Sequence, residues 1–169
     1  MATSSSRTSQ TRTAAHLTRR DFFHDVAESL RGSLPEPLRE FQVWIGAENF
    51  KLSYGRPRLH YEIWTNGRDR HIEVGLHFED GPESTERLLR FFDARIVEIK
   101  HELGPEIELE RWTNSWGHLF RLFPYQPLTD ELTAEVSQEL TRMICLLQPL
   151  LDEAVPPRRA TSAIRPAQT

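Results

Sequence analysis

The stretch LHYEIWTNGRDRHIEVGLHF, residues 59–78, decides the fold of this chain. Apolar and polar side chains alternate up to Asn66-Gly67, and the alternation resumes over residues 71–78. A period of two is typical of strands with one buried face, and Asn-Gly favours a tight hairpin turn because both residues tolerate positive φ. The stretch therefore predicts two long antiparallel strands. Their apolar face consists of Leu59, Tyr61, Ile63, Ile72, Val74, Leu76 and Phe78.

The opposite face of this hairpin combines histidines with glutamates. A two-residue turn would place Glu62 opposite His71 and His60 opposite Glu73. Imidazole and carboxylate groups together can bind zinc or carry out acid–base chemistry, so these four residues are candidate metal ligands. Four such groups on a flat sheet face do not form a closed tetrahedral cage, whereas opposite-charge pairs are common there. We therefore expect solvated pairing, with no bound metal and no cofactor.

Toward the N terminus the sequence predicts one helix and two short strands. Thr18 or Asp21 can cap a helix through about Arg31, because apolar residues recur there at helical spacing. Residues 41–45 and 50–54 alternate over strand length. Both segments are expected to extend the sheet.

Toward the C terminus a long helix opens near Asp80, which can cap it, and ends at Gly104-Pro105. A second hairpin follows, with its turn at Asn114-Ser115 and Leu109 opposite Phe120. With a last helix after it, the element order is α-β-β-β-β-α-β-β-α. This order predicts an α+β fold in which helices pack on an antiparallel sheet.

The last helix begins after Thr129, and Pro149 must kink or end it. Its apolar stripe has near-heptad spacing, which suits packing on its own sheet or a dimer seam. A helix of ~18–25 residues is longer than strands of ~5–6 residues, so part of the stripe would overhang the sheet. We predict a homodimer through this helix or the sheet face beside it. The stripe consists of Leu132, Val136, Leu140, Met143 and Leu147.

Two tryptophans, Trp64 and Trp112, fall on the sheet face opposite the apolar set. A sheet of this size usually has at least one face covered, so packing against a helix is the favoured interpretation. The alternative is an exposed surface that binds a partner.

The 169 residues include 21 Lys and Arg and 25 Asp and Glu, with a formal net charge of −4. All the acidic residues lie in 21–155, which carries a net charge of −11. An acidic body repels a phosphate backbone and argues against nucleic-acid binding by the body. Residues 1–17 and 156–169 are basic and poor in apolar groups, so we expect disordered tails around one domain, 18–155.

Nothing in the sequence indicates export or a membrane. No apolar run approaches the ~18 residues of a spanning helix. Arg19-Arg20 is followed by charged residues rather than by the apolar stretch of an export signal. The single cysteine, Cys145, cannot form an internal disulfide and is expected to be a buried hydrophobe. We expect a cytoplasmic protein.

No catalytic residue is predicted. The sequence lacks Gly-x-Ser-x-Gly, a phosphate-binding glycine loop, His-Glu-x-x-His and Cys-x-x-Cys. Glu98-x-Lys100 is similar to an acidic-x-lysine nuclease signature, but it lies in a predicted helix rather than on a strand.

Residues 72–112 resemble a bacterial domain of unknown function found beside, or fused with, restriction and other defence nucleases. The matching segments are residues 72–78, 88–100, 103–104 and 109–112, with flanking helices at 20–30 and 129–151. This resemblance implies an enzyme or an accessory domain in nucleic-acid metabolism.

The element order is also similar to that of type III secretion chaperones and the related YbjN-like proteins, which are small, acidic and dimeric. This second resemblance implies a non-catalytic cytoplasmic interaction module that binds a protein partner. The acidic body and the missing catalytic motif favour the interaction module.

Overall fold

The two long strands of residues 59–78 form the centre of a six-stranded antiparallel sheet in the computed structural model, which describes residues 16–68 and 70–155. The strand order is β1-β2-β3-β4-β6-β5, and the predicted α+β fold is confirmed. The helices are α1 Arg19–Ser33, α2 Pro82–Asp93, α3 Ile96–Leu103 and α4 Asp130–Ala154, with a 3-10 turn at Glu36–Leu38. The strands are β1 Gln42–Ile45, β2 Asn49–Ser53, β3 Leu59–Asn66, β4 His71–Phe78, β5 Glu108–Arg111 and β6 Gly117–Pro124.

The helices pack on the apolar face of the sheet. Phe23 of α1 lies 6.1 Å from the Phe50 ring of β2, and Phe92 of α2 stacks on Phe78 of β4 at 5.8 Å. The α4 side chains Val136 and Leu140 are buried in the same core. This face therefore fixes the helices to the sheet by removing apolar surface from water.

The hairpin of β3 and β4 pairs differently from the prediction. His60 lies opposite His77 rather than Glu73, because the last pair before the turn is Asn66 with His71, which leaves a connection longer than two residues. Arg70, just before β4, has a φ of 58°. The partner of each β3 residue moves by four positions, an even number. The predicted faces are therefore correct, while the predicted pairs are wrong.

The second hairpin slips by one residue. Leu109 lies opposite Leu119 rather than Phe120, since the connection 112–116 is longer than the predicted turn. An odd slip moves the residues of one strand to the opposite face of the sheet. Leu109 and Glu110 keep their predicted faces, whereas Phe120, predicted on the apolar face, lies with His118 on the polar face.

The predicted central helix is two helices. The chain breaks between α2 and α3 at residues 94–95, where Arg95 has a φ of −116° and a ψ of 4°, outside helical geometry. Its guanidinium lies 3.8 Å from the centre of the Phe91 ring. The predicted Asp80 cap is also wrong, because Gly81 occupies the cap position with a φ of 87° and without a side-chain bond.

Helix α4 begins as predicted, with the Thr129 hydroxyl accepting from the Leu132 backbone N–H. It continues through Pro149, which does not end it. Cys145 is exposed, not buried as expected, because it lies outside the apolar stripe. The stripe is buried within the chain, so the overhang that favours a homodimer is absent and the homodimer stays a prediction. Its members are Leu132, Val136, Leu140, Met143 and Leu147.

The predicted tails, 1–17 and 156–169, lie outside the described residues except for residues 16 and 17. Leu17 belongs to the folded part, because its backbone N–H donates to the Leu128 carbonyl at 2.8 Å and its side chain packs against the core.

Gly75, in the middle of β4, permits a close approach of β6. A Cβ at this position would lie 2.5 Å from the Leu119 carbonyl oxygen and 2.6 Å from the Phe120 Cβ. We expect Gly75→Ala to lower the free energy of unfolding by about 1–3 kcal/mol, as overpacking does, measured by urea denaturation. Gly32→Ala is the control, because a Cβ there meets nothing within 4 Å. An unchanged urea midpoint for Gly75→Ala would contradict this close approach.

Candidate metal and partner-binding face

The sheet face opposite the helices, called here the helix-free face, carries a row of three histidines. His60 on β3, His77 on β4 and His118 on β6 are direct cross-strand neighbours. Each is at most 7% exposed. Buried polar side chains at the centre of a sheet must be paired, so the groups between them decide what this face can do.

Two buried glutamates connect the three histidines. Glu62 Oε2 lies 3.0 Å from His60 Nε2 and 3.6 Å from His77 Nδ1. Glu73 Oε1 lies 2.9 Å from His77 Nε2 and 2.9 Å from His118 Nδ1. Imidazole and carboxylate therefore alternate across three strands. We call these five residues the histidine–carboxylate chain.

Gly75 makes this arrangement possible. Glu73 and His77 are four residues apart on one strand, a separation of about 13 Å along the backbone. Their side chains nevertheless meet, because the intervening position on that face is Gly75 and has no side chain. The same glycine thus serves strand packing and the polar network.

Further polar groups contact the histidine–carboxylate chain near both of its ends. Lys51 Nζ lies 3.3 Å from Glu62 Oε2 and 3.6 Å from Glu79 Oε1. The Asn49 side-chain amide donates to Glu62 Oε1 at 2.8 Å. At the other end, Glu110 Oε2 lies 3.9 Å from His118 Nε2.

The hydrogen bonds of the His60 ring determine its tautomer. Its Nδ1 lies 2.9 Å from the Pro57 carbonyl oxygen, which can only accept, so Nδ1 carries a proton. Its Nε2 then faces the Glu62 carboxylate at 3.0 Å. Two lone pairs at this distance repel unless a proton or another cation lies between them. The site therefore requires positive charge at that point.

Both glutamates of the histidine–carboxylate chain are held in their charged form. Burial acts to raise the pKa of Glu62, but hydrogen bonds from His60 and Asn49 and the nearby His77 and Lys51 lower it to about 2. Burial likewise opposes ionisation of Glu73, and hydrogen bonds from His118 and His77 bring its pKa to about 2. At neutral pH these two carboxylates carry negative charge inside the protein.

Tryptophans cover the histidine–carboxylate chain. The Trp112 ring stacks on His118 at 5.8 Å and lies 5.8 Å from both Trp64 and Trp116. Within the described part of the chain, the contacts that join α1, α2 and α4 to the sheet lie on the other face. The expectation that a helix covers Trp112 is wrong, because Trp112 is 48% exposed and its ring itself lies against Trp64 and His118.

Three of the four predicted metal candidates come together, namely His60, Glu62 and Glu73. His71 does not, because it pairs with Asn66 and Pro124 at the far end of β4. The register shift brings two other histidines, His77 and His118, into the cluster. An antiparallel pairing of β6 with β4 places His118 opposite His77. The residue pattern of β6 is compatible with that pairing, so a search of strand alignments could have identified His118.

This chain matches no protein-family model, and comparisons with curated proteins and with solved structures also give no match. The resemblances to the defence-associated domain and to secretion chaperones stay predictions. Among the described residues, no helix combines the length and the apolar character needed to cross a bilayer.

The lowered pKa of Glu73 predicts a pH dependence of stability. A carboxyl whose pKa falls on folding stabilises the protein above its unfolded pKa of 4.5, and this contribution is lost as the pH falls from 4.5 toward 2. In chelator-treated protein, we expect the free energy of unfolding to decline over this range less steeply in Glu73→Gln than in the wild type. Glu135→Gln, on the exposed side of α4, is the control. Parallel pH profiles for wild type and Glu73→Gln would contradict the assignment.

Proposed function

We propose that this protein is a non-catalytic, cytoplasmic protein-interaction module that binds its partner through the helix-free face. One observation carries the proposal. Of the six large apolar side chains exposed in the described part of the chain, four lie on or beside this face. They are Trp44, Trp112, Trp116 and Leu122. Exposed apolar residues concentrated on one surface are typical of binding sites.

The environment of the tryptophans favours recognition over catalysis. The five members of the histidine–carboxylate chain are at most 7% exposed, whereas Trp112 and Trp116 are 48% and 42% exposed. A partner that approaches this face meets indole rings before it meets any titratable group of the histidine–carboxylate chain. Tryptophan is also the residue type that most often dominates the binding free energy of interfaces.

The charge of the face indicates a positively charged partner. Glu108 and Glu110 on β5 are exposed, and Glu79 lies partly exposed after β4. Indole faces attract Arg and Lys side chains, and the carboxylates around them add to this attraction. We propose a partner protein with a basic surface. A second copy of this chain would place two acidic faces together, which disfavours a homodimer through this surface.

The proposal is tested with the double variant Trp112→Ala/Trp116→Ala. Quantitative co-purification from the native host should recover a basic partner with the wild type and lose it by at least about 30-fold with the variant, since hot-spot residues contribute 2 kcal/mol or more. Val97→Ala, on α3 and 81% exposed, is the matched control and should retain the partner. Equal recovery by all three proteins would contradict the proposal, and light scattering on each sample reports any homodimer.

A second candidate function, in nucleic-acid metabolism, is favoured by a different surface. A groove of about 1010 Å³ between α1 and β1 has an apolar floor that includes Val43 and Ile45. Three arginines and a histidine of α1 line it, and such groups attract phosphates. They are Arg19, Arg20, His24 and Arg31.

Fluorescence anisotropy with a labelled single-stranded DNA tests this second candidate. If the groove binds phosphates, Arg19→Ala/Arg31→Ala should weaken binding and reduce its salt dependence, because fewer counterions are released. Arg90→Ala on α2, whose side chain is 80% exposed, is the control. Binding that is absent, or that is equal in all three proteins, would eliminate the groove as a nucleic-acid site.

A further inference from the structure

We propose that the protein binds one divalent transition-metal ion, with zinc the best match, between His60, Glu62, His77 and Glu79. The donor atoms of these four residues all lie within 4.8 Å of one another. They come from β3, from β4 and from the residue that follows β4. The expectation of no bound metal was made for His60, Glu62, His71 and Glu73, which were predicted to lie flat on a sheet face without a closed cage. The observed pairing places His77 beside His60 and Glu62 in place of His71.

The distances suit tetrahedral coordination. Zinc bonds of about 2.0–2.2 Å at tetrahedral angles place neighbouring donor atoms about 3.3–3.6 Å apart. His60 Nε2 lies 3.0 Å from Glu62 Oε2 and 3.9 Å from Glu79 Oε1, and His77 Nδ1 lies 3.6 Å from Glu62 Oε2. Shifts of a few tenths of an ångström would bring these three separations into the tetrahedral range, and the remaining donor pairs lie within 4.8 Å.

Each of the three inner ligands is oriented by a second group. The His60 Nδ1–H donates to the Pro57 carbonyl, which leaves Nε2 free to bind a metal. His77 Nε2 lies against Glu73, which directs Nδ1 toward Glu62. Metal-binding histidines usually have such a carbonyl or carboxylate partner on the other nitrogen.

The third inner ligand, Glu62, is oriented in the same way. Its Oε1 accepts from Asn49, so its Oε2 is left for the ion. All three inner ligands therefore have the outer hydrogen-bond partner that metal-binding residues usually have.

The second histidine–carboxylate group, Glu73 with His77 and His118, is the weaker candidate. It offers three donors, one fewer than the first group. It also shares His77 with the first group. We assign this second group to orienting His77 rather than to binding an ion.

Lys51 contacts both carboxylates of the proposed site. Its Nζ lies 3.3 Å from Glu62 Oε2 and 3.6 Å from Glu79 Oε1. The side chain is 28% exposed and flexible, so it can move into solvent when an ion binds. Lysine and metal therefore compete for the same two carboxylates, and removal of the lysine charge should strengthen metal binding.

The ion site shares Glu79 with the acidic part of the proposed partner surface, but the two proposals can be tested separately. The four ligands are distinct from the exposed tryptophans, and metal binding can be measured on the purified chain without a partner. A failure of partner binding therefore leaves the metal proposal intact, and the reverse also holds.

Calorimetric titration of the untagged, chelator-stripped, full-length protein with ZnCl₂ tests the proposal. We expect one ion per chain, a higher melting temperature with zinc, and a visible d–d spectrum typical of tetrahedral sites with Co²⁺. His60→Gln and His77→Gln should lose zinc binding by at least about 100-fold, and Asn49→Ala should weaken it by about 10–100-fold. His71→Gln, outside the group, should bind like the wild type.

Lys51→Met keeps every ligand and tests the proposal even if a histidine variant fails to fold. It should bind zinc more tightly than the wild type. The proposal is overturned if the wild type binds no zinc, if His60→Gln and His77→Gln bind as well as the wild type does, or if Lys51→Met binds more weakly.

Discussion

The burial of His77 between two carboxylates is the constraint on which the helix-free face depends. Both ring nitrogens of His77 face glutamate oxygens, Glu62 on one side and Glu73 on the other. A buried carboxylate is stable only if it is hydrogen-bonded and its charge is balanced, so each member of the chain holds its neighbours in place. The opposite side of the same strand carries Val74 and Leu76, which lie in the core beneath the helices. Strand β4 therefore couples the polar network to the apolar core.

The sequence was sufficient to predict the faces of the central hairpin but not its pairs. Side-chain alternation survives any even shift, so the polar set of His60 and Glu62 stayed on one face although the turn was longer than Asn66-Gly67 suggested. The odd slip between β5 and β6 reversed the face assignment of β6, so that Phe120 lies on the helix-free face. Turn length depends on how whole strands align across the sheet, and local residue preferences do not contain that information.

The candidate site was predicted only in part, again because local residue preferences do not determine how strands pair. His60, Glu62 and Glu73 were recognised as candidates from their types and spacing, but His118 is 41 residues beyond His77 and meets it only when β6 pairs with β4. The contact by which Trp112 covers His118 was not predicted, because Trp112 lies in the connection between β5 and β6. The course of that connection depends on the shifted β5–β6 register. The stripe of α4, in contrast, lies in the core as its spacing allowed, and it leaves the tryptophan-bearing face as the exposed apolar surface of the sheet.

The short edge strands affect how readily the sheet aggregates with other molecules. The two edge strands, β1 and β5, have four residues each, whereas the three central strands β3, β4 and β6 have eight. Open backbone edges are the places where sheets of different molecules join and grow into aggregates, and short edges limit this growth. A chain that displays several tryptophans on a bare sheet face is at particular risk of such polymerisation. Placing the longest strands inside gives it protection against self-assembly while the aromatic surface remains available to another molecule.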